Sequence, residues 1–149
     1  MEGTTTHIQL ACFNLGDALF AIDIMRIREI VVPQALSPLP SVSEVLEGVI
    51  NLRGAIIPVL NLRRFFKMPV EVKIPVGKLL IVSLVNQLLA LAVDDVMEVI
   101  SVPAAEILPP LNTVSGIGME YIVGVTLVQN RVCMILNIDA LLTPSGGAV

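Results

Sequence analysis

The feature that most constrains this chain is that it carries its own pattern twice. Written one above the other without a gap, "FNLGDALFAIDIMRIREI" (Phe13–Ile30) and "VSLVNQLLALAVDDVMEV" (Val82–Val99) pair Leu15 with Leu84, Leu19 with Leu88, Ala21 with Ala90 and Glu29 with Glu98. "GVINLRGAIIPVLNLRRFF" (Gly48–Phe66) and "GVTLVQNRVCMILNIDALL" (Gly124–Leu142) likewise pair Gly48 with Gly124, Val49 with Val125, Leu60 with Leu136 and Asn61 with Asn137. Most other pairs exchange one aliphatic residue for another. Both blocks recur in the same order, so the chain reads as one supersecondary unit used twice. Units this small do not easily build separate cores, so two small barrels packed on a shared apolar core are expected.

Each unit is a series of short apolar runs bounded by turn residues, with no helical period sustained beyond about two turns. "IQLACFNL", "GD" and "ALFAI" (Ile8–Ile22) read as a hairpin, and "MRIREIVV" (Met25–Val32) as a strand with Ile27, Glu29 and Val31 on one face. A proline-rich connection follows, in which "SVSEVLEG" reads as a short helical turn. "GVINL", "RG" and "AIIPVL" make a second hairpin, where Pro58 implies an edge position or a bulge. "NLRRFF" reads as a helical turn. Strands resume at Leu79–Leu84, Leu88–Val93, Val96–Val102, Ile122–Val128 and Arg131–Asn137. The reading is all-β with a few short helices, organised as a single domain over 8–142 made of two similar barrel subdomains between which the chain is free to cross, with residues 1–7 and 143–149 as flexible tails.

The 149 residues are 55% apolar and only 15% charged, against about 25% charged in an ordinary domain. That material must be buried, enter a membrane or face partners. The longest uncharged run, Leu79–Val93, is interrupted by Ser83, Asn86 and Gln87. It is shorter than the roughly 20 residues that span a bilayer, and reads as strand–turn–strand. The start has no basic region followed by an apolar one, so a cytosolic chain is expected. A net charge of −4 and a supply of four Phe, one Tyr and no Trp disfavour nucleic acid as a partner. Cys12 and Cys133 each sit in an apolar run and read as buried, reduced thiols.

Catalytic chemistry has nothing to stand on. His7 is the lone histidine and falls in the N-terminal stretch, and no phosphate-binding, nucleophile-elbow or zinc-protease motif is present. Asp94 and Asp95 are adjacent, which on a strand sends them to opposite faces, so a turn or exposed charge pair is expected rather than a metal site. What remains is a binding module. Arg53 then becomes the residue to explain: it aligns with Gln129, whereas glutamate is kept in both units at 29 and 98. The scaffold does not need arginine at that corner, so something particular to the first unit does.

"FNLGDALFAIDIMRIREI", "GVINLRGAIIPVLNLRRFF", "LLALAVDDVMEVI" and "EYIVGV" stand in the order found in the CheW family, the adaptors of bacterial chemosensory arrays, and the chain resembles that family from about Phe13 to Leu142. The resemblance implies two SH3-like five-stranded β-barrels around a shared core, no catalytic residues, no metal and no cofactor. It implies two partners: the cytoplasmic hairpin tip of a chemoreceptor (a methyl-accepting chemotaxis protein), and the CheW-like regulatory domain of the histidine kinase CheA. Other CheW copies join these in rings at the inner face of the membrane, without membrane insertion. Carried over residue by residue, the receptor groove is expected to include Ile27, Glu29, Gly48, Arg53, Val96 and Val99, with the kinase facing the second barrel around Gly124. Arg53 is expected to pair with Glu29, and if that pair is partly buried, folding should depend on each partner. The sequence departs from the family pattern at Ala21 and Ala90, where glycine is usual, and at Asn61, where aspartate is usual. A non-flagellar output, such as pilus-based motility, and a small-ligand-binding barrel are the alternatives.

Overall fold

The computed structural model describes residues 6–38, 46–68, 77–110 and 118–141. Ten strands form: β1 (His7–Leu15), β2 (Ala18–Asp23), β3 (Ile27–Val31), β4 (Leu46–Leu52), β5 (Ala55–Asn61), β6 (Lys78–Ser83), β7 (Leu88–Val93), β8 (Asp95–Pro103), β9 (Ile122–Val128) and β10 (Arg131–Leu136). A one-turn helix, α1 (Leu62–Phe65), follows β5, and short 3-10 turns occupy Ile24–Arg26, Ala104–Glu106, Met119–Tyr121 and Ile138–Ala140. The strands make two five-stranded sheets, β8-β1-β2-β10-β9 and β3-β6-β7-β5-β4, in the manner of two SH3-like barrels.

The repeat is real and its copies are interleaved. Replacing β1–β5 by β6–β10 turns one strand order into the other, so the two units (β1–β5 with α1, and β6–β10 with its closing 3-10 turn) are equivalent. Yet neither unit is a barrel. Each sheet takes the first hairpin of one unit and the last three strands of the other. The registers agree too: the parallel pair Ile135↔Ala21 in one sheet corresponds to Val59↔Ala90 in the other. Both units place a bulge in the third strand, between Ile27 and Glu29 where β3 meets β6, and between Val96 and Val99 where β8 meets β1. Both place a second bulge beside the twin glycines 48 and 124.

Strands buried on both faces explain the continuous apolar runs. In β2, Phe20 and Ile22 face the shared core while Leu19 and Ala21 fill their own barrel; in β7, Leu89 and Leu91 face the shared core while Ala90 and Ala92 fill the other barrel. Ala21 and Ala90, the two departures from the family's glycine, therefore put their methyls into barrel interiors. Phe13, Phe20, Phe65, Phe66 and Tyr121 form one chain of ring contacts with centroids 5.0–6.0 Å apart. That is the whole aromatic complement of the sequence, spent where the two sheets meet.

Pro58 shows how locally the edge rule acts. β5 is an inner strand, but its pairing with β7 runs only from Val59 to Asn61. Toward β4, Pro58 opposes Val49, whose N–H and C=O both bond Ser37 on the far side (2.8 and 2.9 Å). No neighbour asks Pro58 for an N–H.

Three sequence readings change. His7 is not in a tail but opens β1 opposite Pro103. Met25–Val32 is not all strand, because Ile24–Arg26 turns first, capped by the Asp23 carboxylate accepting from the Met25 N–H at 2.9 Å. In "SVSEVLEG", Leu46 to Gly48 belong to β4, while residues 41–45 lie outside the described residues. Residues 1–5 and 142–149, in the expected tails, also lie outside them.

Candidate functional site

Arg53 and Gly54 are the two central residues of the β4–β5 turn, with φ of 51° and 92°. Positive φ at both positions is the turn that matches the twist of a two-residue hairpin. Their twins Gln129 and Asn130 have φ of 51° and 66°, so the corner has the same shape in both units. The backbone of "RG" is thus explained by the hairpin, and the arginine side chain is not.

That side chain finds a partner. The Arg53 guanidinium donates to the Glu29 carboxylate and forms an ion pair with it. β3, which carries Glu29, and β4, which leads into Arg53, are the two outermost strands of their sheet, so the pair links the sheet's ends. The Arg53 side chain is 69% exposed and that of Glu29 31%. The pair lies on the surface with guanidinium donors facing solvent, and an exposed pair contributes little to folding. The condition under which folding would depend on it is not met. In the second barrel the equivalent corner holds Glu98 and Gln129, which line one small cleft with Arg131 and Cys12.

The other expected site residues divide into three kinds. Ile27 and Val96 are twins, both half-buried against the shared core. Val99 stands 51% exposed on β8, and its twin Ile30 is also exposed. Gly48 and Gly124 are buried. A methyl on Gly48 would lie 2.5 Å from the Ser37 carbonyl oxygen, and one on Gly124 would lie 2.7 Å from Ile107 Cγ2 and 2.8 Å from the Leu108 carbonyl oxygen. In each unit a passing connecting segment bonds the residue after the glycine through an isolated bridge: Ser37 with Val49, and Leu108 with Val125. Both glycines set backbone approach and present no surface.

Two ion pairs were not legible as sites. Arg63, in α1, donates to Asp94 (Nε–Oδ1 2.8 Å, Nη2–Oδ2 2.5 Å), and Asp94 Oδ2 also accepts from the Gly16 N–H at 2.7 Å. Burial pushes the Asp94 carboxyl up, but Arg63 and Gly16 outweigh it and hold the group below the ordinary carboxylate range. Asp94 is therefore a structural acceptor rather than half of an exposed charge pair, while Asp95 is exposed and accepts from the Val96 N–H. Arg26 donates to Asp139 (2.6 and 3.1 Å) and to the Ser83 carbonyl (3.0 and 3.2 Å). The Arg26 hydrogen bond keeps the Asp139 carboxyl low.

Other features argue for contact rather than chemistry. A cleft of about 390 Å³ opens beside Ile8, Ile107, Val123 and Ile138; of the charged groups on it, Arg26 and Asp139 satisfy each other and Asp23 accepts from the Met25 N–H. Cys12 and Cys133 are buried, unbridged thiols within one barrel, and donating its hydrogen bond to Cys12, together with burial, pushes the Cys133 thiol up, keeping it protonated. Val123, Leu127 and Val132 are exposed on the β9–β10 hairpin, with Leu127 and Val132 directly paired. Among the described residues no three His, Cys, Asp or Glu side chains group to hold a metal, and no helix is long and apolar enough to cross a membrane.

Comparison with known proteins settles the family. The CheW-like domain matches residues 9–145. The chain belongs to the CheW-like family. It is 34% identical over 140 residues to the chemotaxis protein CheW of Treponema pallidum, covering 91% of this chain and 82% of that protein. It is 25% identical over 143 residues to CheW of Klebsiella aerogenes, covering 96% and 86%. The crystal structure of the scaffolding protein CheW from Thermoanaerobacter tengcongensis superposes with a TM-score of 0.87 at 29% identity, covering 98% of this chain and 94% of that one. CheW-like proteins are non-catalytic scaffolding adaptors of chemotaxis signalling, which accounts for a chain rich in apolar contact surface and poor in reactive groups. The departure at Asn61 is also explained within the CheW-like fold. Its side-chain oxygen accepts from the Arg64 N–H at 3.2 Å, capping α1, while its NH₂ donates to Glu47 at 2.8 Å, a bond an ionised aspartate could not make.

Proposed function

We propose that this CheW-like chain couples chemoreceptors to the histidine kinase CheA in a cytoplasmic chemosensory array. The observation that carries the reading is the Arg53–Glu29 corner. An exposed, pre-oriented guanidinium stands at a turn whose twin makes the same shape with glutamine. Arg53 presents its remaining donors to the receptor hairpin tip, and Glu29 holds the guanidinium plane in place. Ile27, Val96 and Val99 supply apolar contact to a receptor helix laid in a groove between the barrels. Gly48 keeps the strand behind that wall close to Ser37. On the second barrel the kinase meets the hairpin that Gly124 supports, through Val123, Leu127 and Val132.

Reconstitution tests the reading. The protein is mixed with a receptor cytoplasmic fragment and CheA, and ATP-dependent autophosphorylation of the kinase is followed. Stimulation that depends on all three components is expected. Absence of binding to either partner overturns the proposal.

A further inference from the structure

Of the ion pairs outside the Arg53 corner, Arg26–Asp139 and Arg63–Asp94 join the two units and share a pattern that only the repeat reveals. Arg63 and Asp139 occupy equivalent positions in the two units, and Arg26 is equivalent to Asp95, the neighbour of Asp94. The unit β1–β5 thus carries both arginines and the unit β6–β10 both aspartates. Arg26–Asp139 and Arg63–Asp94 are the same junction seen from its two sides, with the charges exchanged. Each junction also ties backbone of the opposite unit: Arg26 holds the Ser83 carbonyl, and Asp94 holds the Gly16 N–H.

This matters because the units are equivalent in backbone topology. They share strand order, register and bulges, so two copies of the same unit, drawn from two chains, could build the same pair of sheets. Exchange of identical elements between chains is a low-cost route to assembly. Pairing two β1–β5 units would set Arg26 against Arg63. Pairing two β6–β10 units would set Asp94 against Asp139. Like charges held face to face discriminate against a partner even where matched charges contribute little to affinity.

We infer that the two arginine–aspartate junctions form a charge code that sorts the units, so that an opened chain accepts the complementary unit of a second copy and rejects the like unit. The surface in question is the unit-to-unit interface, and the partner it fits is a second copy of this chain in reciprocal exchange.

Two full-length variants test the code. One carries Asp94→Arg and Asp139→Arg, making all four positions cationic; the other carries Arg26→Asp and Arg63→Asp, making all four anionic. Each meets like charge in every pairing it can make with itself. Refolded together from denaturant, they are expected to form a 1:1 mixed dimer, read by native mass spectrometry. That species should exceed by about tenfold or more what forms when the two are folded separately and then mixed, which is the control for ordinary charge attraction. A single chain with all four exchanged (Arg26→Asp, Arg63→Asp, Asp94→Arg and Asp139→Arg) restores opposite charges at both junctions, keeps one sign per unit, and should refold as the parent does. The inference is overturned if co-refolding gives no excess of the mixed species, or if the charge-restored chain misassembles.

Discussion

Arg53 holds Glu29 across the two outermost strands of one barrel, from a turn whose backbone would be the same with glutamine in its place. The pair is a surface feature of a corner the fold already makes, so its removal and the removal of the fold are separate events. Arg53→Ala is expected to leave the thermal unfolding midpoint unchanged while weakening receptor-fragment binding about tenfold or more, the scale of a lost charge-assisted hydrogen bond. Titration calorimetry beside a melting curve reads both. A drop in the midpoint with binding intact would assign the arginine to the scaffold instead.

The twin glycines predict the opposite separation. Gly48→Ala and Gly124→Ala each force a methyl to within 3 Å of atoms in a neighbouring connecting segment. Each should cost about 1–3 kcal/mol of stability, as overpacking does. Chemical denaturation measures it, and Arg53→Ala is the internal control that should not move.

Acid should find the Asp94 junction. Its carboxyl sits below the unfolded value near 4 because Arg63 and the Gly16 N–H outweigh burial. A depressed folded pKa means the stabilisation is present above the unfolded pKa and is lost as pH falls through the folded one. Unfolding midpoints measured from pH 7 down to pH 2 should therefore fall less steeply in Asp94→Asn than in the parent below about pH 4. At neutral pH the variant should be weaker by about 1–3 kcal/mol, since Arg63 loses its charged acceptor. Parallel curves would remove Asp94 from the acid transition.

Phe20 is fully buried, and its ring stacks between Phe13 and Phe66 at centroid distances of 5.9 and 5.6 Å. Phe20→Ala should cost about 3–5 kcal/mol, the range for emptying a core aromatic site. Because both barrels rest on that cluster, a single unfolding transition is expected by fluorescence of Tyr121 and by far-ultraviolet circular dichroism alike. Two separated transitions would show the barrels to be independent.

The sequence made some of this legible and hid the rest for physical reasons. Hairpins were readable because "GD" and "RG" are turn chemistry confined to a few residues, and the helical turn at "LRRF" because Asn61 caps it locally. Twofold equivalence was readable because aliphatic pattern survives substitution. A crossing of the chain between barrels was open from the sequence, but which hairpin crosses was not readable, since no local preference records which distant strand lies alongside: β2 takes β10 as its parallel neighbour, and β5 takes β7. Of the expected site, the Arg53–Glu29 contact is present, and the two glycines turn out to act through backbone approach. The Arg26–Asp139 and Arg63–Asp94 junctions were missed, although one signal pointed to them. Opposite charges stood at twin positions, 63 against 139 and 26 against 95, in units that share their aliphatic pattern.

The exchanged hairpins also set the order in which the chain can be completed as it leaves a ribosome. β3 to β7 form a full sheet once residue 93 has emerged. The first hairpin, made earliest and apolar on both faces, must wait for β8, β9 and β10. At about 5–20 residues per second that interval is on the order of ten seconds. For that time the earliest-made strands are the stickiest, and a chaperone acting on this protein has its longest-lived substrate in β1 and β2.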